Sequence, residues 1–332
     1  MSVGKGTFII SLDFELHWGG FEKWPLENYK QYFLNTRKAI PEMLNLFRQH
    51  EIHVTWAGVG MLFHASRESL LKNVPLQKPS YTDRELSAYN FIEDVGIGSS
   101  EEDDPFHFGG SIVKEIIDTP FQELGSHTFA HYYCNEEGQT VEQFRADLRA
   151  AQASAALHGR KLRSLVFPRN QFNEEYLRAC YDEGFIAVRD NPRDWFWKIQ
   201  STQQESRWKR LNRGLDAYWP IGKKNTYSLK SILHQEGLPL CIPASRLLRP
   251  YRPKEFLLNK MKIERINSEM ERAAIKNEVY HLWWHPHNFG NYPRESLQDL
   301  ERILNNFAKC REKFGMQSLS MGEVGEMVIG KG

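Results

Sequence analysis

The 332-residue chain is 41% hydrophobic and 13% aromatic, enough apolar material for a sizeable core, and this excludes a disordered polymer. Lysine and arginine total 43 against 42 acidic residues, a formal charge of +1, which argues against a nucleic-acid binder driven by overall charge. No apolar stretch is long enough to span a bilayer, and the run from Phe8 to Leu12 is too short for a secretory signal.

In chain order, residues 7–13 (TFIISLD) read as a buried strand. A helix is predicted over 36–50, with Ile40, Leu44 and Phe47 at helical spacing and Pro41 drawing its start forward. A second strand fits 52–57 and a third fits 121–126. Helix 140–158 is punctuated by Thr140 as N-cap, Gln143 as its capping-box partner and Gly159 as the stop. Strand 163–167, a helix at 174–183 between Asn173 and Gly184, and strand 185–188 follow. Strand 278–284 precedes a helix at 294–314 stopped by Gly315, and a last strand fits 317–320. About seven strands alternating with helices predict an α/β fold with parallel strands, barrel-like or doubly wound. Residues 66–118 and 191–275 break the rhythm and read as insertions on a single domain spanning 1–332. Four scattered cysteines (Cys134, Cys180, Cys241, Cys310) form no CxxC pair and read as reduced structural thiols, which with the lack of an export signal predicts a cytoplasmic protein.

In parallel α/β folds the chemistry gathers beyond the carboxyl ends of the strands. The first strand ends in Asp13-Phe14-Glu15-Leu16-His17, where Asp13 and Glu15 stand two apart and point to one side of extended backbone. Two such carboxylates resist joint ionisation unless a cation or a proton lies between them. The third strand runs into His127-Thr128-Phe129-Ala130-His131. On a helix, histidines at this spacing share one face and reach one metal ion, and Asp13 or Glu15 would complete a three-ligand site with an open position for water. Arg169, in the turn Pro168-Arg169-Asn170-Gln171, is a candidate to pair with a carboxylate or to hold an anionic substrate group. Arg189-Asp190, followed by Asp194-Trp195, offers an Arg–Asp pair that either tunes a carboxylate base or forms an ordinary surface ion pair. The late strand ends in Trp283-Trp284-His285-Pro286-His287. His285 is a candidate general acid, His287 a further substrate contact, and Trp284 beside Trp283 a candidate stacking wall for a sugar ring. His17 lies near enough to this set to be kept in view. No Walker loop, no GxGxxG after a strand and no GxSxG elbow occurs.

The ordered set of acid strand end, HxxxH, Arg turn and late His resembles the polysaccharide deacetylase family, the NodB-homology type of carbohydrate esterase. SLDFE stands where that family has a TFDDG-like segment, and TWAGVG resembles its second strand. SHTFAH matches its H(S/T)xxH segment at both histidines, and HLWWH stands at its LxxH-like segment. The resemblance covers residues 5–190 and 276–325. It implies a distorted (β/α)7 barrel with insertions and metal-assisted removal of an acetyl group from an N-acetylated sugar. Carried over, His127 and His131 bind a divalent metal, zinc in first place, with nickel, cobalt, manganese or iron as alternatives. Asp13 then stands as general base, Glu15 as the metal-binding acid, and His285 as the acid that protonates the leaving amine. Phe14 holds the place of the family's second Asp, so both Asp13 and Glu15 stay open as ligands. The RxPxG-like turn reads Pro168 to Gln171 here, and Asp190 to Trp195 approximates a DxxDW-like segment with one extra residue.

The expected partner is a carbohydrate substrate (a polysaccharide, an oligosaccharide or a glycan precursor), not nucleic acid. Two other readings stand beside this one: a hydrolase of a non-carbohydrate or cyclic amide on the same fold, and a non-catalytic sugar-binding pseudoenzyme.

Overall fold

β1 (Thr7–Phe14) is buried at all eight positions, as a strand covered on both faces must be. The computed structural model describes residues 4–192 and 225–330. α1 (Leu26–Gln49) starts well before the predicted 36, because its buried stripe runs back from Phe47 through Met43, Ile40 and Thr36 to Phe33. Pro41 stays inside this helix on its exposed face, where water can serve the unpaired carbonyl. β2 (Val54–Gly58) is buried throughout. The chain then makes an excursion containing α2 (Arg67–Lys72) and α3 (Ala88–Asp94). It rejoins the barrel in α4 (Gly110–Asp118), which packs on β3 (Gln122–Ser126), so the last part of the predicted 66–118 insertion belongs to the barrel.

α5 (Val141–Ala156) carries the predicted capping box between Thr140 and Gln143. β4 (Ser164–Leu165), α6 (Glu174–Asp182) and β5 (Ala187–Asp190) follow, with the Asn173 side chain accepting from the amides of Glu175 and Tyr176. Beyond residue 224 come β6 (Leu240–Pro243), β7 (Arg246–Leu247), α7 (Phe256–Lys276) and β8 (Val279–Trp284). α8 (Pro293–Phe314), ended by Gly315 at φ 67°, leads to β9 (Gln317–Ser318) and α9 (Met321–Ile329).

All named strand pairs are parallel, in the order β6-β5-β4-β3-β2-β1-β8-β7. β6 and β7 are two halves of one stave that joins the two edges. Ala244 N–H donates to the Asp190 carbonyl at 2.9 Å, and Ser245 N–H donates to the His281 carbonyl at 2.8 Å. The sheet therefore closes on itself as a distorted barrel of seven staves, with β6 and β7 counted as one and β9 paired only with the first residues of β1. This corrects the reading of 191–275 as an insertion: residues 240–276 supply a stave and a helix of the barrel itself.

Strand periodicity sorts the side chains into two compartments. Phe8, Ile10, Leu12 and Phe14 of β1 face outward into the large core beneath the helices. Ile9 faces inward, where Ala57, Val166, Ala187 and Val279 meet Met321 and Val324 of α9, an apolar plug in the lower barrel. Ser11, Asp13 and, just beyond the strand, Glu15 continue the inward row upward. All four cysteines are unpaired, and three of them are buried. Among the described residues no helix is long and apolar enough to cross a membrane.

Candidate active site

The inward row of β1 climbs from apolar to charged, and other strands match it layer by layer. Above the plug, the buried His281 ring donates from Nδ1 to the Pro243 carbonyl at 3.2 Å. Its Nε2, 2.9 Å from Ser11 Oγ, is left to accept the Ser11 hydroxyl proton. Burial, with the Arg189 charge nearby, lowers the His281 imidazole to about 3, so it stays neutral in this chain of bonds. Arg189, inward on β5, lies over Ser11 Oγ at 3.3 Å and grips Asp13 with both terminal nitrogens, at 2.5 and 2.8 Å. Its guanidinium also lies 4.2 Å from the ring centre of Trp283 and donates to Asn170 Oδ1 at 3.2 Å. Burial alone would raise the Asp13 carboxyl, but Arg189 and then His285 outweigh it and hold the carboxyl below its ordinary value.

One layer higher, Glu15 Oε2 lies 3.2 Å from His127 Nε2 and 3.0 Å from His131 Nε2. The three ligand atoms lie within 4.8 Å of one another, and all three residues are buried. The histidines do not meet on a helical face, as their spacing suggested. Residues 127–131 form an irregular loop in which Thr128 (φ 64°) and His131 (φ 55°) adopt left-handed backbone. Asp147 of α5 holds this loop by accepting from the amides of Phe129 (2.6 Å) and Ala130 (3.1 Å). Burial pushes the Asp147 carboxyl up to about 7 against the pull of those two amides.

The donor set fits a divalent cation. His127 Nδ1–H is committed to the Val166 carbonyl at 2.8 Å, so a neutral His127 presents only a lone pair at Nε2. That lone pair faces a carboxylate oxygen, an arrangement that requires a cation or a proton between them. Two imidazoles and one carboxylate suit a catalytic metal site that keeps positions open.

His285 completes the cluster. Its Nε2 lies 3.4 Å from Glu15 Oε1 and 3.6 Å from Asp13 Oδ2. Its side chain is 27% exposed, whereas Asp13, Glu15, His127 and His131 are almost closed off, so His285 is the member that meets the mouth of the barrel.

The structure places Trp284 and His287 away from the open site, and it puts Arg169 in the first of its two expected roles, paired with carboxylates. Trp284 is fully buried on the outward face of β8, stacked on Phe289, and does not reach the site. Trp283 is the inward neighbour, in line with His281 below it and His285 beyond. His287 is buried behind His285, with ring centres 4.9 Å apart, and is walled by Trp24, Tyr32 and Phe33. Burial lowers its imidazole to about 3. Arg169 already spends its guanidinium on Glu22 (2.7 Å) and Glu136 (3.1 Å) while lying 3.9 Å from the ring centre of Tyr133. Arg189 pairs with Asp13 across the barrel and not in a surface pair, and Asp194 and Trp195 lie outside the described residues. His17 belongs to a separate buried chain, Asp104–His107–His17, that ends on the Trp24 carbonyl. Asp147, Asn170 and Tyr133 were not singled out from the sequence, and nothing in their local pattern marks them.

No family model and no curated protein matches the sequence. The chain is similar to solved structures of two proteins assigned as polysaccharide deacetylases. One, from Mycobacterium smegmatis, gives a TM-score of 0.59 at 12% identity over 100% of this chain and 93% of that one. The other, from Pseudomonas aeruginosa, gives 0.55 at 11% identity over 96% and 89%. The allantoinase Puue gives 0.54 at 13% identity over 96% and 89%. These likenesses establish the fold as the distorted (β/α) barrel of the NodB type.

Proposed function

We propose that this chain is a metal-dependent hydrolase of carbon–nitrogen bonds that removes the acetyl group from an N-acetylated sugar. The observation that carries the reading is the arrangement of Glu15, His127 and His131 around one point, beside an Asp13 clamped by Arg189. Glu15 Oε2 and the Nε2 atoms of the two histidines would hold the cation, which when bound supplies Lewis-acid polarisation of the amide carbonyl. Of the two acids left open by the sequence, Glu15 takes the ligand role, because Asp13 spends both oxygens on Arg189.

Asp13 is the general base. The bidentate guanidinium fixes its orientation and keeps it ionised, so it is ready to take a proton from water attacking the carbonyl carbon. His285, within reach of Asp13 and open to the mouth, delivers a proton to the nitrogen as the C–N bond breaks, and acetate and the free amine leave. Trp283 supplies an inward aromatic edge against His285, with ring centres 5.7 Å apart.

The test is zinc reconstitution followed by measurement of acetate released from N-acetylglucosamine oligomers. Metal-dependent release supports the reading. Turnover of allantoin without acetate release would move the chain to cyclic amides. Stoichiometric zinc with neither reaction, but with sugar binding, would support a pseudoenzyme.

A further inference from the structure

The two histidines of the candidate metal site are held from behind in different ways. His127 donates from Nδ1 to the Val166 carbonyl, a group that only accepts, so its protonation is fixed by the backbone. His131 Nδ1 lies 3.0 Å from the Tyr133 hydroxyl, a group that can donate or accept. The ambiguity is resolved one step further out. The Tyr133 hydroxyl is also 3.4 Å from Glu22 Oε1, and a carboxylate can only accept.

Glu22 is built for this part. Its side chain is 6% exposed, and the same Oε1 takes Arg169 at 2.7 Å and Lys23 at 2.8 Å. Two cations on that oxygen keep the carboxylate ionised, and Arg169 also covers the Tyr133 ring. Tyr133 is fully buried, with its ring packed between the Tyr81 and His131 rings at 6.1 and 5.1 Å between centres, which holds the hydroxyl in place.

We propose that Glu22, acting through Tyr133, is the positioning residue that makes His131 a metal ligand. The carboxylate draws the phenol proton toward itself, and the phenol oxygen then accepts the His131 Nδ1–H. The Nε2 lone pair is thereby directed at the point shared with Glu15 and His127, and the imidazole is made a stronger donor. Neither residue touches the cation or the substrate. Arg169 takes its place as the brace of this chain. The inference rests on the metal-site reading of Glu15, His127 and His131.

The experiment is a double-mutant cycle read as zinc affinity, by competition with a chromophoric chelator, on wild type, Tyr133→Phe, Glu22→Ala and the double variant. Tyr133→Phe keeps the buried ring, so it preserves the fold, and thermal unfolding checks all four proteins. Removal of a partner that orients a metal-bound histidine typically weakens metal binding by roughly 10–100-fold, which is the expected loss for Tyr133→Phe. Glu22→Ala is expected to weaken zinc by several-fold or more, and the double variant to bind no more weakly than Tyr133→Phe alone. A merely structural role for Glu22 gives additive losses instead, and additivity overturns the proposal. So does a Tyr133→Phe or Glu22→Ala protein that binds zinc as tightly as wild type. A wild-type protein that binds no zinc overturns the metal-site reading itself, and the inference with it.

Discussion

Replacing Arg189 with Met tests how the barrel interior carries its charge. The side chain makes two bonds to Asp13, at 2.5 and 2.8 Å, further contacts to Ser11 and Asn170, and a cation–π contact with Trp283. Met fills much of the volume but leaves Asp13, 3% exposed, as a buried carboxylate without its partner. Breaking a buried pair from one side costs about 3–5 kcal/mol. The pH dependence has a definite sign. The folded Asp13 carboxyl lies below its ordinary value, so its pairing stabilises the fold fully above that ordinary value and is lost as pH falls from there through the lower folded value. Without Arg189, burial pushes the carboxyl up, and at lower pH a proton replaces the missing cation. Urea unfolding of Arg189→Met should therefore show a larger loss at pH 8 than at pH 5, and adding Asp13→Asn should recover part of it. A loss under about 1 kcal/mol, within the range of exposed pairs, or one equal at both pH values, would refute the reasoning.

Metal content by elemental analysis should fall from about one divalent ion per chain to none in His127→Ala, with a far-UV circular dichroism spectrum close to that of wild type. Gly19→Ala should weaken metal binding without replacing any ligand, since a Cβ there would collide with Glu15 Cδ and must displace that carboxylate; chelator competition measures the shift. Asp147→Asn should destabilise by about 1–3 kcal/mol, because an amide cannot accept equally from both the Phe129 and Ala130 amides. Its pH trend runs opposite to that of Arg189→Met. With the folded carboxyl raised to about 7, wild-type stability falls between about pH 4 and 7, so the gap to the variant narrows as pH rises, which paired unfolding curves at pH 5 and 8 would register.

What the sequence made legible was periodic. Asp13 and Glu15, two apart at the end of an apolar run, had to share a side, and they do. The same rule applied to β8 separates Trp283, in step with His285, from Trp284, which faces the helices; naming Trp284 as the sugar wall overlooked that parity. HxxxH pointed to two imidazoles that do meet beside Glu15, but not on a helix: the loop turns through left-handed backbone at Thr128 and His131, and Asp147 of a distant helix holds the amides between them. Arg189 finds Asp13 only through the sheet register, which no local pattern encodes. The 240–248 stave escaped notice because its two short halves, broken between Pro243 and Arg246, show no run long enough to read as a strand.

The placement of β1 also has a consequence for how the chain is made. This strand is made before the other strands of the barrel, yet two of its three neighbours, β8 and β9, lie about 270 and 310 residues further along the chain. During synthesis β1 gains β2 early and then waits, with one edge bare, until residues 279–284 emerge. An apolar, fully buried strand with an open edge is a ready template for pairing with another chain. The nascent protein therefore passes through a long window of aggregation risk. That window closes only when residues 279–284 are translated and the ring can shut.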